Sequence, residues 1–454
     1  MTRRNWKRNL SLTRVSRLVT ATLALIIAFA LSGAAAYAQT LTVLHQFSGG
    51  ESDGARPGAG MTMDRAGNLY GSTIYGGDES CTGLEAGGGG APPGCGVLFK
   101  MKKSGSGWLF IPLYIFPGDL QDYLPTYPGG LAIGPNGSLY GINFFGGLTN
   151  GPESAGDVFN AAPPPTAPAS VFAPWSYSFA YSFKGSLDQA DGSNPTRTAP
   201  LLFDAGGAIY GTTGYGGLAN DGVVYKLTPS GNGWTESVLY TFLGGSDGVG
   251  PHGVVLDNAG NLYGVTGVGG NQDCSPFRGC GTVFELSPSQ SGWTKTTLHT
   301  FQQGVDGGVA GPLIRDSAGN LYGITLGFGP NDSGGTVWEM SPSGGGWTFT
   351  VIHAFPAETV DDYGPYALTM DAAGNLYGIT GWGGHNNWGF LFKLTPSGGG
   401  NWTYTELYDF GTASGQSDGC NPQGSPLLDA NGNLYGLTEF CGRFDVGTVW
   451  KFTP

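Results

Sequence analysis

Short runs of apolar, aromatic and β-branched residues, separated by Gly, Pro, Asn and Ser, follow one another along most of the chain. One stretch shows four such runs in order, at Val254–Asp257, Gly260–Thr266, Gly281–Leu286 and Trp293–Phe301. Runs this short, bounded by turn residues, are typical of β-strands. Beyond the first 38 residues no segment has a helical period. The pattern predicts groups of four strands, which we name A to D in chain order.

A phrase of Leu/Ile-Tyr-Gly recurs in strand B of each group. Its tyrosines are Tyr70, Tyr140, Tyr210, Tyr263, Tyr322, Tyr377 and Tyr435. Their mean separation of about 61 residues indicates stacked supersecondary units. Seven units of four antiparallel strands predict an all-β fold, a seven-bladed β-propeller. A type I turn with Asp first and Gly fourth precedes the phrase, so we interpret these aspartates as structural.

The two ends of the repeat region predict how the ring closes. The last unit ends with a C strand, Gly447–Phe452, and has no D strand after it. Leu41–Phe47 resembles the D strand Thr297–Phe301, so we expect it to complete the seventh blade. We predict one domain over residues 39–454, with approximate blades at 53–117, 122–184, 191–243, 247–303, 306–357, 361–411, and 418–454 plus 39–48.

Residues 1–38 have the features of an export signal. Six basic residues accompany the apolar run Leu18–Ala36, which ends in Ala36-Tyr37-Ala38, a small-x-small cleavage site. We predict cleavage after Ala38 and a secreted, periplasmic or extracellular protein with no later membrane span. An uncleaved membrane anchor is the alternative.

Amino-acid composition and net charge limit the classes of molecule that the protein is expected to bind. The chain has 84 Gly and 29 Pro with 13% aromatic residues, as expected for many short strands joined by turns. Its net charge is −13, and becomes −19 without residues 1–38, because 14 basic and 33 acidic residues remain. Such acidity disfavours nucleic acid and anionic membranes. We expect a monomer that engages a carbohydrate or a protein.

The repeat register places the six cysteines in loops on one face. This long-loop face carries the B–C and D–A loops, whereas the opposite face carries short turns. We predict three local disulfides, and free thiols are the alternative. The predicted pairs are Cys81–Cys95, Cys274–Cys280 and Cys420–Cys441.

Positions that depart from the repeat are the candidate functional residues. His252 and Tyr366 are bulky where other units have small residues, so they are speculative catalytic groups for proton abstraction. A hydrogen-bonded plug of the channel is the alternative for both. His385, Trp382 and Trp388 share one B–C loop and, with Tyr366, are candidate ligand-binding residues. By contrast, His45, His299 and His353 alternate with Tyr in D strands and are expected to be structural.

Two further patterns lie toward the long-loop face. An aromatic residue follows strand B in most units, at Tyr75, Phe145, Tyr215, Phe328, Trp382 and Phe440. If exposed, these rings could stack against sugar rings; if buried, they would be contacts between blades. An acid recurs in the D–A loops, including Asp247, Asp306 and Asp362. No cofactor is predicted; Ca²⁺ is the alternative for these three residues, against an Asx turn in each loop.

Gly260-Asn261-Leu262-Tyr263-Gly264, followed by Gly269-Gly270 and Gly281-Thr282-Val283-Phe284, resembles the GloVer tandem repeat of exported bacterial proteins. The resemblance covers Gln39–Pro454 and implies export and a propeller-like repeat. It supplies no catalytic residues. The first hypothesis is a non-enzymatic exported propeller that binds carbohydrate or protein through the long-loop face. The second is an extracellular polysaccharide lyase or hydrolase with a site at the channel mouth.

Overall fold

The structure is a computed structural model that describes most of the chain after residue 38. The described ranges are 39–58, 60–78, 93–117, 126–146, 155–164, 175–185, 191–197, 199–231, 233–274, 277–356 and 364–454. Leu41–Thr453 forms one compact unit. The predicted signal segment lies outside the described residues, so its cleavage remains a prediction.

The described strands form seven antiparallel sheets. The N-terminal strand is β1 Thr40–Gln46. Blade 1 has β2 Thr62–Met63, β3 Leu69–Ser72, β4 Val97–Ser104 and β5 Gly107–Ile115. Blade 2 has β6 Thr126–Pro128, β7 Ala132–Ile133, β8 Leu139–Phe145, β9 Asp157–Ala162 and β10 Ser176–Ser182. Blade 3 has β11 Gly192–Pro195, β12 Leu202–Phe203, β13 Ile209–Gly216, β14 Val223–Ser230 and β15 Gly233–Thr241.

The remaining blades follow the same order. Blade 4 has β16 Val249–Leu256, β17 Leu262–Val268, β18 Thr282–Ser289 and β19 Gly292–Thr300. Blade 5 has β20 Gly308–Ala310, β21 Ile314–Arg315, β22 Leu321–Gly327, β23 Thr336–Ser343 and β24 Gly346–Ala354. Blade 6 has β25 Pro365–Met370, β26 Leu376–Thr380, β27 Phe390–Gly398 and β28 Asn401–Asp409. Blade 7 has β29 Cys420–Leu428, β30 Leu434–Phe440 and β31 Thr448–Thr453.

The predicted seven-bladed propeller and its closure are confirmed. Strand β1 pairs with β31 in the sheet order β1-β31-β30-β29, so the N-terminal strand is the D strand of blade 7. The Phe47 N–H extends this contact by donating to the Gly447 carbonyl at 3.1 Å. One detail differs from four continuous strands, because strand A is split in blades 2, 3 and 5. Proline and glycine interrupt the ladder there, as at Pro312 in blade 5.

The recurring phrase has a packing explanation. The Asp257 carboxylate accepts the backbone N–H groups of Ala259 and Asn261 at 2.8 Å, and Tyr263 donates its hydroxyl to it at 3.3 Å. Gly264 lies opposite Phe284, and a Cβ built on Gly264 would lie 2.5 Å from that ring. The phrase is therefore scaffold, since its Tyr holds the turn and its Gly makes room for the strand C aromatic residue.

The core lies mainly between neighbouring blades. Tyr263 of blade 4 contacts Trp347 of blade 5 at a ring-centroid distance of 5.7 Å. Tyr435 of blade 7 contacts Trp108 of blade 1 at 5.9 Å, so the contact continues across the closure. In blade 7 the corresponding D-strand residue is Leu41, which packs against a cluster containing Tyr377. The tryptophans that open D strands thus pack between neighbouring sheets.

The helical elements whose full extent the structure describes are three short 3-10 turns. They are Gly245–Asp247, Pro330–Asp332 and Ser414–Gln416. Among the described residues, none of the helices has the length and apolar character needed to cross a bilayer.

Candidate functional site

The A strands line a central channel that contains the first candidate residue. A cavity of about 250 Å³ lies between the A strands of five blades, with walls that include Leu201, Val254, Leu313 and Leu368. His252 is the residue on this wall with an ionisable side chain. Burial lowers its pKa to about 4, and its Nδ1 atom is buried without a hydrogen-bond partner. The buried imidazole is thus neutral near pH 7.

Tyr366 does not share that cavity. Its ring packs over Gly381 of the same blade, just as the His252 ring lies against Gly267. In both blades a bulky strand A residue faces a glycine of strand B, so the two side chains fill equivalent spaces in separate blades. The described lining of the 250 Å³ cavity contains His252 but neither Tyr366 nor an acid, so this cavity does not supply the arrangement that the lyase or hydrolase hypothesis needs.

A larger groove lies between blades 5 and 6 on the long-loop face. Its volume is about 600 Å³, and its lining includes Phe355, Trp382, His385, Tyr404 and Glu406. Trp382 is half-buried and His385 is exposed, so both side chains are accessible. Two of the candidate ligand-binding residues therefore meet in one concave site with aromatic walls and polar groups.

A histidine and an aspartate support this groove. The His353 imidazole stacks on the Tyr404 ring at 4.2 Å, and burial lowers the pKa of His353 to about 4. Burial raises the pKa of Asp409, although the backbone N–H and the charge of His385 oppose that rise. The His385 loop is thus held against strand β28, which fixes one wall of the groove.

Trp388 belongs beside this groove and is not part of its lining. Its ring is half-buried, contacts Gly411, and lies 6.1 Å from the Trp382 ring. It packs beside Trp382, and its assignment as a direct ligand contact stays a prediction.

The repeated D–A acids have structural partners. Asp247 accepts hydrogen bonds from the Tyr240 hydroxyl and the Leu243 N–H, both at 2.9 Å. Asp306 bonds His299 at 2.7 Å and accepts the Gln302 N–H. Asp362 lies outside the described residues. Within the described ranges no three His, Cys, Asp or Glu side chains gather to hold a metal ion.

The aromatic residues after strand B do not form one platform. Tyr75 is buried, whereas Phe145 and Tyr215 are 41% and 51% exposed. The others, Phe328, Trp382 and Phe440, are half-buried. Only some of these rings can therefore meet a ligand.

Disulfides tie the loops of the long-loop face. Cys274 bonds Cys280, and Cys420 bonds Cys441, which are two of the predicted pairs. Cys95 is also disulfide-bonded. Its predicted partner Cys81 lies outside the described residues.

A charged cluster at the channel mouth has no counterpart in the sequence pattern. The Arg56 guanidinium lies 4.9 Å from the Phe440 ring centre, and that of Arg197 lies 5.4 Å from Phe144. Burial raises the pKa of Glu439, while the charges of Arg56 and Arg197 oppose the rise. Four blades contribute these residues, so no spacing along the chain signals the cluster.

Large exposed apolar side chains concentrate on the same face. Seven of the eight such residues in the described ranges lie in or beside B–C and D–A loops: Phe145, Tyr215, Leu218, Leu243, Phe277, Val305 and Phe444. The eighth, Leu109, lies on strand β5 near its short-turn end. The large exposed apolar side chains of the described residues thus lie mainly on the long-loop face.

The comparisons agree on the repeat and the fold. The profile of the Gloeobacter/Verrucomicrobia repeat matches residues 82–309, 170–363 and 313–454. No curated protein matches the chain. A protein described as a hybrid two-component system, BT4673 from B. thetaiotaomicron, has an extracellular domain with TM-score 0.51 at 11% identity, covering 92% of this chain and 42% of that one. PorZ, a surface component of the type-IX secretion system of Porphyromonas gingivalis, gives TM-score 0.48 at 12% identity, covering 86% and 46%.

Proposed function

The chain belongs to the Gloeobacter/Verrucomicrobia (GloVer) repeat family, and from this premise we propose that it is an exported binding protein that holds a carbohydrate in the groove between blades 5 and 6. The observation that carries the proposal is the groove itself, with Trp382 and His385 accessible in a concavity of about 600 Å³. Disulfides on the loops favour an oxidising compartment, which supports export.

The lining suits a sugar ring. The faces of Trp382, Phe355 and Tyr404 offer apolar area against the C–H groups of a pyranose. His385, Asn387 and Glu406 supply donors and acceptors for hydroxyl groups. A volume of about 600 Å³ accommodates a short oligosaccharide, since small-molecule pockets are about 300–1,000 Å³.

A glycan panel followed by titration calorimetry tests this function. We expect the purified protein to bind a neutral oligosaccharide, and Trp382→Ala to weaken that binding about tenfold or more because the stacking surface is lost. Phe444→Ala is the matched control, since this ring is 50% exposed on the same face but does not line the groove. Equal binding by wild type and Trp382→Ala would reject the groove as the site.

A second candidate is docking of a partner protein on the long-loop face. The seven exposed apolar residues favour it, because protein interfaces often expose such patches. Affinity capture from the native cell envelope would then recover a partner that Leu218→Ser with Leu243→Ser loses and Leu109→Ser retains. A partner retained by both variants contradicts docking at these residues.

A further inference from the structure

The cavity in the central channel is a second concave space, and its described lining shares no residue with that of the groove between blades 5 and 6. We propose that this cavity binds a small neutral molecule with an apolar ring and a carbonyl oxygen, which accepts a hydrogen bond from Nε2 of His252. The inference does not depend on the carbohydrate groove, because it uses different residues.

The wall of the cavity favours an apolar ligand. Apart from His252 and Ser425, every described lining residue is Gly, Ala, Pro, Val, Leu or Ile. None of the described lining side chains is charged near pH 7, so a charged ligand would lose its hydration without gaining a counter-ion. A cavity of about 150 Å³ with a comparable wall holds benzene. A volume of about 250 Å³ therefore has room for a six-membered ring with a polar substituent.

His252 brings a polar side chain to a position that the repeat keeps small. The equivalent residues in blades 2, 3, 5 and 7 are Gly129, Ala199, Gly311 and Gly424. Tyr366 in blade 6 is also bulky, but its ring packs over Gly381 and is not part of the cavity lining. A small residue satisfies the fold at this position in four blades, so the fold itself does not require the imidazole of His252.

The two ring nitrogens of His252 differ in their surroundings. The ring makes no hydrogen bond to the described residues, and Nδ1 is buried. Nε2 lies beside Gly267, where a Cβ would come within 2.9 Å of it, so the glycine leaves space at this nitrogen. Because a buried N–H without an acceptor is especially unfavourable, the proton of the neutral imidazole belongs on Nε2. His252 thus gives the cavity an N–H donor that has no acceptor among the described residues.

Hydrogen bonds to blade 3 hold the backbone on both sides of His252. The Thr196 hydroxyl donates to the Pro251 carbonyl at 2.9 Å, and the Gly253 N–H donates to the Thr212 hydroxyl at 2.9 Å. The donor is therefore held in place before a ligand arrives, which lowers the entropy cost of binding.

The donor and the wall together select the functional group of the ligand. An N–H donor needs an acceptor, and a carbonyl oxygen accepts without bringing a donor of its own. A hydroxyl group would bring one, and Ser425 is the one described lining residue whose side-chain oxygen could accept it. A cyclic ketone is thus the simplest molecule that fits both the wall and His252.

Titration of the purified full chain with cyclohexanone, followed by ¹H–¹⁵N NMR of the histidine rings, tests the proposal, with benzene and D-glucose as comparison probes. We expect the His252 ring to carry its proton on Nε2 at pH 7, and cyclohexanone at about millimolar concentration to shift that signal. His252→Phe assigns the signal by its loss. Because the probe is observed at His252 itself, the result is independent of whether the carbohydrate groove binds.

Two variants separate a ligand site from a side chain that only fills the channel. His252→Phe keeps a flat ring without the donor, so it should weaken cyclohexanone binding about fivefold and leave benzene binding within about twofold. His299→Phe is the matched control, since it makes the same exchange at a histidine outside the cavity lining, and it should bind cyclohexanone as wild type does.

Ala367→Leu narrows the cavity and should weaken both cyclohexanone and benzene about tenfold, with thermal unfolding as the check that the variant is folded. The proposal is overturned if cyclohexanone leaves the His252 signal unmoved, if D-glucose shifts it equally, or if the proton lies on Nδ1. Full cyclohexanone affinity in His252→Phe, or in a folded Ala367→Leu variant, would overturn it as well.

Discussion

The glycine after each strand B tyrosine is small because a neighbouring ring occupies the space of its side chain. A Cβ on Gly264 would approach Phe284 and lie 2.8 Å from the Gly253 carbonyl oxygen. Equivalent glycines, Gly141 and Gly378 among them, face Phe159 and Phe392 in the same way. The Gly of the repeated phrase is thus required because the aromatic side chain of strand C packs against strand B at this position.

Gly264→Ala should lower the free energy of unfolding by about 1–3 kcal/mol, the usual cost of overpacking a filled core. Urea unfolding followed by tryptophan fluorescence measures the change. Gly327→Ala is the control, because a Cβ there has no heavy atom within 4 Å, and it should stay within about 0.5 kcal/mol of wild type. Equal losses in both variants would contradict the steric explanation.

The roles of some single residues can be predicted from the surrounding sequence, whereas those of others cannot. The turn aspartates repeat with a Gly three residues later, so a structural role follows from local spacing alone. His353 alternates with Tyr in other units, and its stacking on Tyr404 fits that equivalence. Arg56 gives no such signal, because its partners Phe440 and Glu439 come from the other end of the chain.

At the scale of elements, β1 is the strand on which blade 7 depends. Removing residues 39–47 would leave β31 with an unpaired edge. It would also remove the fully buried side chain of Phe47 and leave an empty space in the core. We expect a loss of about 3–5 kcal/mol or more, the usual cost of removing a large buried side chain. Thermal unfolding of the shortened protein should show a clearly lower midpoint.

A peptide of residues 39–48 added in trans provides the control for this deletion. It should restore part of the lost thermal stability, whereas a peptide with the same composition in scrambled order should not. An unchanged unfolding midpoint in the shortened protein would show that β1 contributes little to closure.

Strand content is predictable because each strand is bounded by its own turn residues. Closure is also predictable, because Leu41–Phe47 resembles the D strands of the repeat and precedes the first A strand. The division of strand A in blades 2, 3 and 5 is not, since it depends on how closely inner strands crowd the channel. Gly129, for example, lies next to the Arg197 backbone of the neighbouring blade.

At the scale of the whole molecule, the repeated turns make stability depend on pH. Burial alone would raise the pKa of the turn aspartates, but hydrogen bonds from backbone N–H groups, Asn and Tyr outweigh it and lower the pKa below 3.8. The affected residues are Asp64, Asp204, Asp257, Asp371 and Asp429. Stability from such groups is complete above their unfolded pKa and is lost as pH falls through the folded value.

Buried histidines and buried carboxyl groups also change how stability depends on pH above about pH 4. The lowered pKa values of His252 and His353, about 4, add to the loss on acidification, because the unfolded imidazoles take up protons below about pH 6.5. Burial raises the pKa of Asp157, Asp191 and Glu439, so their protonation opposes that loss. The steepest fall should therefore come below about pH 4, where the turn aspartates protonate together.

Asp257→Asn tests the pH dependence, because its amide oxygen can still accept the turn N–H groups but cannot titrate. The slope of unfolding free energy against pH below pH 4 should decrease by up to about 1.4 kcal/mol per pH unit. Urea unfolding at a series of pH values measures it. Asp273→Asn, in an exposed loop, is the control. An identical slope in Asp257→Asn and wild type would refute the assignment.

Only part of the lining of the candidate groove can be predicted from the sequence. Trp382 and His385 stand out because they break the repeat, and the structure places both in the groove. Phe355, Tyr404 and Glu406 occupy ordinary repeat positions, so their contribution depends on the separation between two neighbouring sheets. That separation is a property of the assembled ring and leaves no trace in local composition.

The pairing of β1 with β31 also has a consequence for biosynthesis. A ribosome makes the chain from its N-terminus, so the first strand produced is the last one to find its place. Strand β31, Thr448–Thr453, follows the first six blades along the chain. A nascent chain therefore cannot close its ring until β31 has been made, and a chain that terminates before β31 keeps β1 without its pairing partner.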